Sequence, residues 1–492
     1  MPQKIIVVGS GNAAMCAGIA ALEQGAEVLM LEKAAPDLAG GNTKYTAGAM
    51  RFAYDTSADL IPLLAIPEDP RIPRTDFGSY SQDKFAQDLL GFNEGRPLSE
   101  EQQVLVSKSY EAVLWLAGHQ VTYEPIYSRQ SFEKDGRYVF WGGLSLAAAN
   151  EGVGLFDMEL AAFQRLGGKI RYEAPVTELI HAGDRVTGIV AAGQELPADA
   201  VILACGGFEA NDAMRAELIG PDWAVAKVRG TPHNMGDGLT MAWDAGAQRY
   251  GSYQGCHATP MDLHMKNYGN LDIPHLERKN YRKICYFLGV MLNADGVRFV
   301  DEGINFRNYT YAQFGRAVLE QPGHFAWQIF DAKVMDLLYG EYRFEDAHFV
   351  EADSLEALVT RLDGVNPATA LATLQDFNRA VDQDTAFDPT VLDGKGTTGL
   401  DPAKSNWAQV LDKPPFRAYP VTGGITFTYG GLKIDAAGNV LREDDTAIEG
   451  LHACGELVGG VFFGGYPGGS GLTSGAVFGR RAGYGASKQA GI

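Results

Sequence analysis

Short apolar runs alternate along this chain with longer runs of helical spacing, and glycines punctuate both. Ile5 to Val8 is continuously apolar; Gly9 and Gly11 follow, then an alanine-rich stretch from Ala13 to about Gln24 that predicts a helix. Val28 to Leu31 repeats the apolar run and ends on Glu32. The opening reads strand, turn, helix, strand. Pro62, Pro67, Pro70, Pro73 and Pro97 make about Tyr54 to Glu100 an irregular surface excursion with short helices. Helical spacing returns at Glu100–Gly118 and from about Gly154 to Leu166. Lys169–Tyr172, Val176–Ile180 and Val186–Val190, with a turn at Gly183-Asp184, predict a small β-meander. Ala200–Ala204 is apolar throughout, as a central strand buried on both faces is. It closes on Cys205-Gly206-Gly207-Phe208. Met235-Gly236-Asp237-Gly238 then leads into a helix over Leu239–Ala245. Residues 255–416 mix strand and helix patterns and do not repeat the opening logic. Glycine turns return in His452–Glu456 and Tyr466–Leu472, before a closing helix to about Lys488. The pattern predicts one domain built from both ends, residues 1–254 and 417–492, interrupted by a capping domain over 255–416.

The opening unit is suited to the ADP half of a dinucleotide. Gly9 permits the tight turn, and Gly11 lets backbone approach a pyrophosphate at the positive end of the helix. Glu32, 23 residues after Gly9, can accept from ribose hydroxyls. A second glycine turn, Gly40-Gly41-Asn42-Thr43, directly follows this acid, an arrangement that resembles flavoproteins of the succinate dehydrogenase/fumarate reductase type and so implies a flavin over a nicotinamide cofactor. The residues expected around the cofactor are Gly9, Gly11, Asn12, Ala13, Glu32, Lys33, Gly40, Gly41, Asn42, Thr43, Ala47 and Gly48. Further along they are Val176, Ala204, Gly206, Gly207, Asp237, Glu456, Ser470, Gly471 and Leu472.

Composition narrows the class. The 492 residues suffice for two or three domains, and 46% hydrophobic with 21% charged residues fits a globular enzyme. A formal charge of −20 argues against nucleic acid and anionic membrane surfaces as partners. The five cysteines include no CxxC pair, so there is no signature of haem attachment, iron–sulfur cluster or structural zinc, and no metal is expected. No run of 18 apolar residues and no signal-peptide pattern occurs, so a cytoplasmic location is expected.

Taken together, Gly9–Ala14, Glu32, Gly40–Thr43, Ala204–Phe208, Gly236–Gly238, Ala453–Glu456 and Gly468–Gly483 resemble the FAD-dependent fumarate reductase/succinate dehydrogenase/3-ketosteroid dehydrogenase superfamily, over essentially the whole chain. Thr46–Tyr54, Arg298–Gly303, Phe306–Tyr311 and Tyr466–Gly483 look most like the tricarballylate dehydrogenase flavoproteins. The resemblance implies an α/β fold: a Rossmann-like FAD-binding domain of the glutathione reductase type, parallel sheet plus β-meander, with an inserted α+β capping domain. It implies that Arg307, five residues beyond Glu302, is the proton donor, and that His257, nineteen residues after Gly238, binds substrate. Phe427 stands where fumarate reductases usually carry a carboxylate-binding histidine, and Tyr466 replaces an arginine. Tyr466-Pro467-Gly468 instead resembles the 3-ketosteroid dehydrogenases, where that tyrosine polarises a carbonyl. Arg307, Tyr466 and His257 are therefore the catalytic candidates, and either Arg307 or Tyr466 can move the proton. Arg51, Arg282 and Tyr429 are the substrate-binding candidates, and Arg229 also lies in a segment able to face the flavin.

The superfamily reaction moves a hydride between a carbon and flavin N5 and a proton at the neighbouring carbon, next to a polarised carbonyl or carboxylate. Three readings follow: dehydrogenation of tricarballylate or a related polycarboxylate to a cis-aconitate-like product; a ketosteroid dehydrogenase-like or enoate reductase activity; or a flavin-carrying subunit that docks to an electron carrier. The first histidine is His119, so the Gly40–Thr43 region lacks the residue that binds FAD covalently in succinate dehydrogenases, and noncovalent FAD is expected. Electrons are expected to pass to an external acceptor, either a quinone-linked or iron–sulfur partner or a free carrier.

Overall fold

The computed structural model describes residues 2–140, 143–269, 271 and 277–488. Its central sheet has six strands, in the order Asn439–Leu441, Ala447–Ala453, Ala200–Leu203, Lys4–Val8, Glu27–Leu31 and Lys169–Arg171. Neighbours run parallel except for the first pair. The strands without polar alternation lie in the middle, because Ala200–Leu203 and its partners Ile5 to Val8 are covered on both faces. The glycine turn after Val8 leads into helix Asn12–Glu23.

The structure differs from expectation in the β-meander and at the cap boundaries. Lys169–Arg171 does not join the β-meander but extends the central sheet beside Glu27–Leu31. The meander is Val176–Ala182, Arg185–Ala191 and Gln194–Pro197. Its last turn has Ala192 and Gly193 at φ of 48° and 74°, the geometry of a tight hairpin. The proline-rich excursion is largely exposed between residues 55 and 79 and carries the short helices Ser57–Leu60, Ile61–Leu63 and Ile72–Arg74, as expected, but its aromatics are buried in a lobe. Two small sheets lie between residues 49 and 148, and Phe52, Tyr54, Phe77, Tyr80 and Phe85 are buried there. Its prolines interrupt the periodicity without exposing the aromatics. Lastly, the capping sheet crosses both expected boundaries. The 13-residue strand Phe416–Thr428 pairs with Lys227–Val228, Cys256–Asp262, Phe325–Phe330 and Val350–Ala352. That strand runs out of the cap and delivers Thr426, Phe427 and Thr428 to the cavity described below.

The closing helix, Ser470–Lys488, packs against Asn12–Glu23 through a stripe of glycines four residues apart, on one helix face. A Cβ on Gly475 would lie 2.5 Å from Asn12 Nδ2, one on Gly479 2.4 Å from the Ala13 carbonyl oxygen, and one on Gly483 2.3 Å from that of Ala17. Alanine at an exposed helical glycine stabilises by about 1 kcal/mol. At Gly479 the sign should reverse: Gly479→Ala is expected to lower Tm by several degrees and weaken FAD retention. A thermal melt of the variant at or above wild type would contradict the close contact.

Candidate active site

One cavity runs between the glycine turns of the central sheet and the cap. At its sheet end, Gly9 has φ of 104°, and a Cβ there would meet the Ala204 carbonyl oxygen at 2.4 Å, so only glycine fits. Gly11 opens the helix without any side-chain cap, which leaves the helix's positive end facing the cavity. The Asn12 N–H donates to Thr43 Oγ1 at 2.9 Å and Asn12 Nδ2 to the Leu472 carbonyl at 2.8 Å, knitting the first turn to both other glycine segments. Glu32 lines the cavity. Its carboxylate accepts from Ser10 Oγ and, at 2.7 Å, from the Ala34 N–H. Ser10 Oγ in turn accepts from the Gly40 N–H at 3.0 Å. The acid is thus held in place before any ligand meets it.

Glu456, which lines the next wall, faces the fully buried Glu209 behind it. Glu209 Oε1 accepts from Asn42 Nδ2 and Asn234 Nδ2, both at 2.6 Å, while its Oε2 has no donor. Glu456 Oε1 accepts from the Thr428 N–H at 2.7 Å and from Thr428 Oγ1. Burial, and then the facing Glu456, push Glu209 well above the carboxylate range; burial also raises Glu456. Carrying two charges is therefore disfavoured for this pair.

The cap end is cationic and aromatic. Arg229, Arg282 and Arg307 line it with Tyr311, Phe427, Tyr429, Phe462 and Tyr466. Arg282 is paired with Glu341 at 2.7 Å. Arg229 donates to Thr426 Oγ1 at 3.0 Å and to the Tyr45 carbonyl at 3.1 Å. Burial, and then the repelling Arg282, pull it down to about 10. Arg307 opens helix Arg307–Leu319. Burial opposes its charge, but the phenols of Tyr339, Tyr311 and Tyr286 outweigh burial and hold it above its ordinary value. The hydroxyls of Tyr311 and Tyr466 are 2.6 Å apart. Burial, then Tyr311, raise the Tyr466 phenol well above its ordinary value, so it stays neutral.

Most expected residues do line this cavity: Gly9, Gly11, Asn12, Ala13, Glu32, Lys33, Gly41, Asn42, Thr43, Ala47, Val176, Ala204, Gly206, Asp237, Glu456, Gly471, Leu472, Arg282, Arg307, Tyr429 and Tyr466. Lys33 and Asp237 do so as an ion pair at 2.7 Å. Six lie behind the lining instead. Gly40 packs on the Phe156 ring, Gly48 on the backbone of Glu151, and Gly207 against the Glu456 carboxyl. Ser470 Oγ is spent on the Pro467 carbonyl at 2.7 Å. Arg51 is wholly buried outside the cavity. Its Nε donates to the Gly468 carbonyl at 2.7 Å, and its guanidinium lies between Asp88, Tyr80 and Tyr309. It braces the Tyr466–Gly469 loop and cannot reach a substrate. His257 sits behind the aromatic wall, with the rings of Tyr311, Tyr466 and Phe427 centred 5.0–5.4 Å away. Burial, then Arg229, depress its imidazole well below its usual value, so it is neutral there.

Sequence reasoning missed Asn308. It lines the cavity at 1% exposure, and neither end of its amide has a partner. A buried amide left unpaired costs about 1–3 kcal/mol, so the position points to a polar ligand. Its signal was only its place beside Arg307. Tyr311, one helical turn beyond Arg307, was equally readable.

The model of a family described as FAD binding domain matches residues 4–472. NADH:fumarate oxidoreductase of Klebsiella pneumoniae is 26% identical over 99% of this chain, which spans 48% of that protein. A 4-oxocyclohexanecarboxylate 2-dehydrogenase of Sinomonas cyclohexanicum is 30% identical over 66% of this chain and 59% of its own. In fold, the chain is similar to 3-ketosteroid Δ1-dehydrogenase from Sterolibacterium denitrificans, with a TM-score of 0.73 and 21% identity over 99% of both chains. The uncapped helix, the glycine approaches and the positioned acid fit FAD. Glu32 is the acid expected to accept from the ribose, and charge-assisted hydrogen bonds of that kind contribute about 1.5–3 kcal/mol. Glu32→Ala should therefore weaken FAD binding at least about tenfold and leave the fold intact. An FAD titration that gives the variant a Kd within twofold of wild type would remove Glu32 from that role.

Proposed function

The chain belongs to the FAD binding domain family, and from that premise we propose that it is an FAD-dependent oxidoreductase acting on a carbon–carbon bond next to a carboxylate or carbonyl of an anionic substrate. The observation that carries this reading is the convergence of Arg229, Arg282 and Arg307 with the Tyr311–Tyr466 hydroxyl pair on the cavity that also contains the dinucleotide cradle. FAD, bound noncovalently, supplies the two-electron acceptor or donor. The chain's own residues bind, polarise and move the proton. Guanidinium forks match carboxylates bidentately. The neutral Tyr466 phenol, oriented by Tyr311, donates to the substrate oxygen on which negative charge builds. Arg307, held protonated, stabilises the same charge and in the reducing direction is placed to give its proton to the adjacent carbon. Phe427 and Phe462 form an apolar wall beside them.

Among anionic substrates, tricarballylate or a related polycarboxylate is the first candidate, since three cationic side chains can meet several carboxylates. A second reading rests on a different observation. Glu341 already neutralises Arg282, and Tyr466 is a carbonyl-polarising residue, so a substrate carrying both a carboxylate and a ketone also fits. The Sinomonas relative is named for such a compound. A steroid fits less well, because it brings no anion to the arginines. Electrons pass to or from an external carrier, either a quinone-linked or iron–sulfur partner or a free one.

Anaerobic bleaching of the flavin by a panel of compounds tests the reading: tricarballylate, succinate, 4-oxocyclohexanecarboxylate and 4-androstene-3,17-dione. Bleaching is expected from a carboxylate. Bleaching by the steroid alone would overturn the anionic assignment. On the best substrate, Arg307→Ala should lower kcat/KM by at least about 100-fold, and Arg307→Lys should not restore it. A loss under fivefold would take Arg307 out of the reaction. Tyr466→Phe should slow flavin reduction about 100-fold or more in stopped flow while FAD stays bound. An unchanged rate would leave Tyr466 as wall and return the proton step to Arg307 alone.

A further inference from the structure

Arg229 is unlike the other two arginines of the cavity. Its guanidinium is buried, with 8% of the residue exposed, yet both of its hydrogen bonds go to neutral oxygens, Thr426 Oγ1 and the Tyr45 carbonyl. No carboxylate among the described residues pairs with it. Arg282, by contrast, has Glu341, and Arg307 lies between the Tyr311 and Tyr339 rings. A desolvated cation without an anion is expensive, and a protein keeps one where a ligand supplies the countercharge. Among the groups that act on Arg229 are Arg282, Tyr311, Tyr466 and Glu341, at the cap end, and the neutral His257 imidazole also lies within its reach. Arg229 also lines a second cavity, whose wall carries Lys44, Arg278 and Lys279 together with Glu151 and Asp157.

We propose that Arg229 is the anchor for the substrate's carboxylate, and so the residue that restricts this site to anionic substrates. Arg307 and Tyr466 are left to the reacting carbon and its neighbouring oxygen. This rests on the anionic reading above and names the group that enforces it. The backbone supports the role: strand Lys227–Val228 pairs with the long cap strand, and the Arg229 N–H donates to the Ile425 carbonyl at 2.9 Å, so the residue is fixed at the mouth of the aromatic wall.

The test is binding without turnover. Malonate and tricarballylate are titrated into FAD-loaded protein and followed by the visible absorbance of the flavin, with cyclohex-2-enone as a neutral probe. Wild type should bind the carboxylates. Arg229→Gln should raise their Kd about 100-fold, the scale of a buried charge pair losing one partner. Arg229→Lys, which keeps charge but loses the fork, should fall between and guards against a folding failure of the first variant. Both should retain FAD at wild-type stoichiometry. Carboxylate affinities within threefold of wild type in both variants, or loss of FAD from both, would overturn the assignment. Wild type that responds to cyclohex-2-enone and to neither carboxylate would instead overturn the anionic reading itself.

Discussion

The contact on which this molecule depends is that between helices Asn12–Glu23 and Ser470–Lys488. Gly475, Gly479 and Gly483 remove three side chains from the closing helix, so that its backbone sits on the carbonyls and small side chains of the opening one. This pins the two helices in register. Asn12 can then reach the Leu472 carbonyl, and segments more than four hundred residues apart in sequence meet at one cavity edge. The glycines give up helix propensity, and the return is positional: Gly9, Glu32, Gly455 and Leu472 all come to line the same cavity.

The cap uses a different economy. Strand Phe416–Thr428 ties it to the cofactor side and sets Phe427 opposite His257 on the neighbouring strand. That pairing turns a histidine into packing, because an imidazole enclosed by Phe427, Tyr311 and Tyr466 beside Arg229 stays neutral. With phenylalanine at 427 and tyrosine at 466, the polar groups at this end of the cavity are phenols and the arginines at 229, 282 and 307.

The legible parts of the sequence were the local ones. Gly9, Gly11 and Glu32 act within one strand–turn–helix–strand unit, where spacing alone sets geometry. The helix at Glu100–Gly118 carries its own start signal, with Ser99 and Gln102 capping it reciprocally. Arg51 and His257 were placed in the site through family motifs, but tertiary packing decides where such side chains end. Arg51 turned inward to the Gly468 carbonyl and Asp88, and His257 turned into an aromatic cluster. Asn308 shows the opposite case. Nothing in its local pattern separates it from a surface amide, and only the cavity reveals that both ends of its side chain lack partners.

The joining of both chain ends at the cradle also sets an order of events during synthesis. Helix Asn12–Glu23 leaves the ribosome some 450 residues before the glycine stripe that must cover it. At roughly 5–20 residues per second, its apolar face waits on the order of tens of seconds for its partner. Once Ala200–Leu203 has been made, its edge waits unpaired for Ala447–Ala453. The cradle is therefore completed only at the end of synthesis, when Leu472 and the closing helix emerge.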